Sequence, residues 1–197
     1  SFPDPEREEA AFRDPRPGGR GGAAGIIGFH LPEWDALCRS AFLGNPWNLG
    51  RDGLELTVEP ETKGFMNAEA ALRAIRYWDR ADQFRDLSSE QAHQLEKQLR
   101  CEEDPGRPVF ASDWLGMLAV LRAKFSQSNA QSLLCHNALL KTGDAYLLGH
   151  DAHGGGADEG PNWVGMQLML VRDEIRQGGE PAWTQYIREG CGVDLGT

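Results

Sequence analysis

A chain of 197 residues that is 40% hydrophobic and 25% charged has the make-up of one globular domain with appendages. Its net charge of −10 argues against a protein that grips a phosphate backbone, a task that takes clustered excess Lys and Arg. Small phosphorylated ligands stay within reach of single arginines or helix N-termini. Cys38, Cys101, Cys135 and Cys191 stand far apart, with no CxxC pair and no zinc-like Cys/His spacing, and read as reduced thiols. There is no N-x-S/T sequon, and the apolar runs fall far short of the roughly 18 residues a spanning helix needs. The expectation is an intracellular protein without a transmembrane segment, meeting membranes only through a partner. A first residue of Ser1 instead of methionine leaves room for a removed targeting peptide, and with it a plastid or mitochondrial address.

Residues 1–25 carry Pro3, Pro5, Pro15, Pro17 and a Gly18 to Gly22 run, with Phe2 and Phe12 as the bulky apolar groups. Such a tail cannot offset its own chain entropy and is expected to be disordered when alone. A protein partner that holds it would use the two phenylalanines as anchors. Residues 26–178 form the domain and 179–197 a C-terminal helix and tail. Within the domain, Ile26–Phe29 and the strictly alternating Leu54–Val58 predict short strands of one minor sheet. A short helix is predicted over Glu33–Ala41, followed by loop and turn from Gly44 to Gly53.

Helical signal begins at Asn67, a cap residue, with Ala68, Ala71, Leu72, Ile75 and Trp78 at helical spacing. Ser88 and Gln91 have capping-box spacing and open a second helix running to about Arg100. Further helices are predicted over Ser112–Phe125, Ala130–Leu140 and from Asn162 or Trp163 to Arg176. A final, separate helix is bracketed by Glu180-Pro181 and Gly190. The fold class is α+β, mainly α.

Lys124-Phe125-Ser126-Gln127, Thr142-Gly143-Asp144 and Gly160-Pro161-Asn162-Trp163-Val164-Gly165 follow one another in an order that resembles the NADAR, or YbiA-like, family. In that family the first motif is read as a helix start, the second as a turn and the third as a helix entrance around a pocket for ribose-linked nucleotides, and the enzymes cleave N-glycosidic bonds. Leu43-Gly44-Asn45-Pro46-Trp47 is similar to the family segment whose asparagine and aromatic ring line the pocket. The resemblance covers roughly Leu43 to Arg176 and makes Glu69 the catalytic acid. Asn45, Trp47, Arg73, Arg76, Gly160, Asn162 and Trp163 become the ligand-binding set, for a ribose- or ADP-ribose-type ligand.

The chemistry makes the departures informative. N-glycosidic cleavage passes through an oxocarbenium-like sugar that a carboxylate can stabilise. Glu69 is kept, yet the family's histidine falls on Ala70, its glutamine on Arg73 and its lysine on Arg76. Arginine stays protonated and is no nucleophile, so a Schiff-base role is lost. Glu69 and Arg73, four apart, also suit a plain helical ion pair. His93 stands in for a cationic family residue or is a surface group. Val109 and Asp113 fall where the family has a tryptophan and a cation, with Trp114 out of register. His150, Asp151, His153 and Asp158 are metal-capable, but a glycine-rich loop without rigid support argues for no metal and no cofactor.

Apolar and turn positions thus match the family where charged and aromatic ones depart. A retained fold with relaxed chemistry leaves that pattern. The first expectation is a catalytically impaired NADAR-like domain, an accessory or structural subunit of an assembly. The alternatives are an active N-glycosidase on a ribosylated base, riboflavin-pathway intermediate or ADP-ribosyl adduct, and a nucleotide- or ADP-ribose-binding sensor without turnover.

Overall fold

The structure, a computed structural model, describes residues 25–50, 53–102, 109–150 and 162–178. The tail with Phe2 and Phe12, the loop with Gly160 and the expected C-terminal helix lie outside the described residues.

Strand β1 (Ile26–Phe29) forms where the apolar run predicts it and pairs in parallel with β4 (Tyr146–Gly149), Ile26 opposite Tyr146. Strand β2 (Leu54–Val58) pairs antiparallel with β3 (Glu61–Phe65), Leu54 opposite Phe65. The two stretches expected in one sheet therefore sit in separate two-stranded sheets. A run of four or five apolar residues reports its own extended shape and not its partner. β3, with its Gly64 and Lys63, and β4, as Tyr-Leu-Leu-Gly, carry too little alternation to be read.

Helix α1 (Pro32–Cys38) has proline in its first turn and stops at Arg39, which turns left-handed at φ 53°. That turn ends the helix before Ala41, and Ala41–Leu43 follow as a separate 3-10 turn. Helix α2 (Ala68–Ala74) is capped as expected, the Asn67 side chain accepting from Ala70 N–H at 2.8 Å. Its apolar rhythm continues through Trp78, but the chain there has tightened into a 3-10 stretch (Trp78–Phe84) that buries Ala81 and Phe84 against the same core. Helix α3 (Ser89–Glu102) opens on the predicted reciprocal box. Gln91 N–H donates to Ser88 Oγ at 3.3 Å, and Ser88 N–H donates to Gln91 Oε1 at 2.9 Å.

Helices α4 (Asp113–Lys124), α5 (Ala130–Lys141) and α6 (Trp163–Gln177) match their predicted spans to within a residue or two. Ser112 and Asn129 cap the first two. α4 is the central element: it packs on α2, β2, α5 and α6, burying Leu118, Val120 and Leu121. α2 presents Ala68, Ala70, Ala71 and Ala74, all fully buried, so α4 and α3 approach its backbone closely. Gly116 on α4 makes room for Ile75, whose Cδ1 lies 2.5 Å from where a Cβ would stand. The fold is α+β and mainly helical, and among the described residues no helix is long and apolar enough to cross a membrane.

Candidate functional site

Glu69 and Arg73 lie one turn apart on α2, and their side chains meet. Arg73 donates from Nε at 3.0 Å and from a terminal nitrogen at 2.6 Å to the same Glu69 oxygen. The other end of Arg73 donates to Glu96 of α3, which also accepts from Arg76 at 2.9 Å and Arg100 at 3.0 Å. The Glu96 side chain is only 3% exposed, so three guanidinium groups converge on one carboxylate almost out of water. Burial works against both charges. The mutual attraction outweighs it, holding the Glu96 carboxyl below its ordinary pKa and the Arg73 guanidinium above its own. The chain of charges continues outward, where Arg76 reaches Asp113 at 3.2 Å. The acid at position 113, where the resemblance implies a cation, thus meets an arginine where the resemblance implies a lysine.

Glu96 was not among the residues the sequence singled out. Its signal is faint: an acid on the face of α3 that also carries the buried Ala92 and Leu99. Two of the three arginines that justify it, Arg73 and Arg76, sit twenty or more positions away.

Asn45 lies beside this cluster, since its backbone carbonyl accepts from Glu69 N–H at 3.1 Å. Its side chain is buried, with Nδ2 3.6 Å from Met117 Sδ and Oδ1 without a hydrogen-bond partner among the described residues. Lys124 fixes the segment from below. Fully buried, it donates to the carbonyl of Gly44 at 2.8 Å and reaches that of Leu43 at 3.4 Å. Burial pulls the Lys124 ammonium down to about 7, only partly opposed by the neighbouring Cys135, whose own thiol burial pushes up. Lys124-Phe125-Ser126-Gln127, expected as a helix start, closes α4, with Phe125 as its C-cap. Gln127 turns to His136, donating to Nε2 at 3.2 Å while the His136 Nδ1–H bonds Phe125 O at 2.9 Å.

Trp47, two residues beyond Asn45, goes elsewhere. It is 42% exposed and lines a groove of about 390 Å³ with Phe42, Arg39, Leu134 and Cys135, between α1 and α5. Asn45 and Trp47, expected in one pocket, therefore face different surroundings, because a buried amide and an exposed indole two residues apart straddle the edge of the core.

Asn162 precedes α6 and is spent on structure. Its Oδ1 accepts from Gly149 N–H at 2.9 Å, and its Nδ2 donates to Leu147 O at 2.7 Å and Tyr146 Oη at 3.2 Å. It clasps β4 to the start of α6 with no side-chain bond to the helix itself. Gly165 is required there, because a Cβ would strike both the Asn162 amide and Leu147 O. The Thr142-Gly143 turn is equally structural: Thr142 Oγ1 donates to Leu139 O and accepts from the buried Arg172 at 2.9 Å.

Trp163 stands half exposed at the head of α6 and meets the Trp114 ring edge-on, 5.2 Å between centroids and 80° between planes. One turn further, Gln167 donates to Trp114 O at 2.8 Å. The first turn of α4 is thus the meeting point. Asp113 takes Arg76 from one side, and Trp114 takes Trp163 and Gln167 from the other. Of the expected residues, Arg76 and Trp163 contact this turn; Glu69 and Arg73 are linked to Arg76 through Glu96, Asn45 lies beside Glu69 and Met117, Asn162 is tied to β4, Trp47 lines a separate groove, and Gly160 is outside the described residues. Gln167, which the sequence had not singled out, meets Trp114 there, and Lys124 of the first motif is the buried support under Asn45. A Gln among the apolar positions of α6 and a Lys closing an apolar helix were the available signals.

No group of metal-capable side chains occurs among the described residues. Of the candidate metal loop only His150 is described, and its ring meets Trp34 edge-on at 6.0 Å. His93 lies half buried on α3.

No protein-family model matches the chain, and no curated protein matches it in sequence. Its structure is similar to the NMR structure of the E. coli protein YbiA, with a TM-score of 0.52 and 20% identity, over 80% of this chain and 89% of that one. Residue identity at that level carries the backbone arrangement and nothing finer. With its strands, capped helices and α4-centred core laid over that fold, the chain has a divergent YbiA-like fold.

Proposed function

We propose that this YbiA-like domain has lost or impaired N-glycosidase chemistry and works as an accessory subunit of a larger protein assembly. The observation that carries the reading is the pairing of Glu69. A carboxylate stabilises an oxocarbenium-like sugar with the negative charge it turns toward that sugar, and a guanidinium bonded to it weakens that field. Here one oxygen of Glu69 takes two N–H groups of Arg73, and Arg73 and Arg76 are themselves held by Glu96. Neither arginine can serve as the nucleophilic amine, and both have their forks engaged by protein carboxylates. An assembly role draws support from the groove beside Trp47, lined by the exposed Leu134, with Leu37 and Leu133 exposed elsewhere on α1 and α5.

The test has two arms. Native purification followed by mass spectrometry is expected to give a stoichiometric protein partner that Leu134→Asp releases. Hydrolysis assays on ribosylated bases, riboflavin-pathway intermediates and ADP-ribosyl adducts are expected to show no turnover. Turnover that Glu69→Gln abolishes would establish an active N-glycosidase and overturn the proposal, as would a free monomer.

A second reading, a nucleotide- or ADP-ribose-binding domain without turnover, is favoured by a different observation. Asn45 Oδ1, Trp114 Nε1 and Gln167 Oε1 are buried with no hydrogen-bond partner among the described residues. Buried polar atoms are nearly always satisfied, and three around one helix turn point to a polar occupant. Equilibrium dialysis with ADP-ribose tests it directly, and absence of binding at millimolar ligand would remove it.

A further inference from the structure

Helix α6 buries Leu168 and Val171 and carries the same apolar stripe one turn further to Ile175, which is only half covered. With Phe125, Val171, Gln127 and His136, Ile175 lines an open groove of about 360 Å³ between the ends of α4 and α6 and the middle of α5. The charges at its edge are spent on each other, since Arg122 donates to Glu174 at 3.0 and 2.6 Å. Gln127 and His136 are likewise bonded to one another. What the groove offers an occupant is therefore apolar contact. Gly178 forms part of its rim. That glycine ends α6 in the left-handed conformation at φ 67°, its N–H on Ile175 O at 3.4 Å, and so turns the chain off the helix axis at the groove itself.

We propose that the chain beyond Gly178 folds back into this groove and lays Trp183, Tyr186 and Ile187 over Ile175, Val171 and Phe125. Residues 179–197 lie outside the described residues, and their amino-acid order supplies the occupant. Trp183, Tyr186 and Ile187 stand at i, i+3 and i+4, with Thr184, Gln185, Arg188 and Glu189 on the other side. Glu180-Pro181 keeps α6 from simply running on, because the residue before a proline is driven out of the helical region. The helix expected from Pro181 to Glu189 is shorter than the about 12 residues that hold alone in water, so its apolar stripe persists only when covered. Trp183 is five positions beyond Gly178, a reach of at most about 17 Å, whereas packed helices lie about 8 to 10 Å apart. The indole can thus cross the groove from the point where the chain leaves α6. A separate partner would compete with a segment tethered at the rim, at an effective concentration on the order of millimolar. This surface is distinct from the groove beside Trp47, and the pairing of Glu69 does not bear on it.

Hydrogen exchange of the full chain, read by mass spectrometry at several protein concentrations, tests the docking. Amides of residues 181–189 are expected to exchange at least about tenfold more slowly than those of an unstructured chain, the scale set by burying one large apolar side chain, and to do so at every concentration. Trp183→Asp is expected to release them and to speed exchange at the end of α6, residues 171–177, and around His136. Thr184→Asp, on the polar side, is expected to leave all three regions slow. Both substitutions lie in the segment, and the amides of α4 report that the domain stays folded in each. Free exchange over 181–189 in the wild type overturns the proposal. Protection that grows with concentration assigns the groove to a second copy and overturns it as well. So does a Trp183→Asp effect that falls on α1 or α3 instead of the end of α6.

Discussion

Replacing Lys124 by Met tests the most exacting piece of packing in the domain. In the folded protein its ammonium is pulled down to about 7 by burial, against 10.5 for the free side chain. Between those values the unfolded chain holds a proton that the folded one has shed, so stability rises with pH across that window at about 1.4 kcal/mol per pH unit. Below about pH 7 both states are protonated and the full penalty for burying the charge is present, about 5 kcal/mol as an upper bound. The variant lacks this titration and shares the others. Urea unfolding at about pH 6 and about pH 9 is therefore expected to show the wild type gaining on the order of 2 to 3 kcal/mol more than Lys124→Met over that interval. The Cys135 thiol, pushed up in the fold, begins to cost stability as the unfolded thiol ionises toward about pH 9, but both proteins carry that cost and the comparison cancels it. The absolute effect of the substitution also includes the loss of the bonds to Gly44 O and Leu43 O, which the pH comparison cancels. Parallel stability curves for the two proteins would refute the reasoning, showing that Lys124 reaches water or keeps its charge at no expense.

Glu96→Gln removes the carboxylate on which Arg73, Arg76 and Arg100 converge and is expected to cost about 3 kcal/mol in urea unfolding, toward the low end for a broken buried pair because Arg73 keeps Glu69. A cost below about 1 kcal/mol would show the cluster to be a solvated surface network. Gly165→Ala drives a methyl into the Asn162 clasp and Leu147 O, and a loss of about 2 kcal/mol or more is expected by thermal unfolding; near-neutral behaviour would mean that β4 and α6 can separate freely. Asn67→Ala deletes the cap of α2 and its bond to Leu87 O at 2.8 Å, with an expected cost of about 1 to 2 kcal/mol that Asn67→Asp should partly restore.

Local chemistry was legible in the amino-acid order. Asn67, Ser88 with Gln91, and Ser112 marked helix starts that exist, because a cap needs only a side chain three residues from an orphan N–H. Arg39 ended α1 early through a left-handed turn that nothing in its side chain advertises. The ordered turn and glycine motifs of the second half carried the fold resemblance, since they are fixed by backbone geometry: Gly165 has no room for a Cβ, and Gly143 sits at φ 56°.

What tertiary structure alone decided is who meets whom. The sequence placed Glu69 and Arg73 one turn apart but could not bring Glu96 to them from another helix. It offered Ile26–Phe29 and Leu54–Val58 as strands but not their separate partners, β4 and β3. Asn162 looked like a helix cap facing a ligand, and only the path of β4 turned its amide into a clasp. Lys124 looked like the start of a motif and proved to be a buried post under Asn45. Short-range rules are written in spacing along the chain, whereas the charge of a site is set by groups that burial and packing bring together from distant positions, and those distances have no record in the local order of residues.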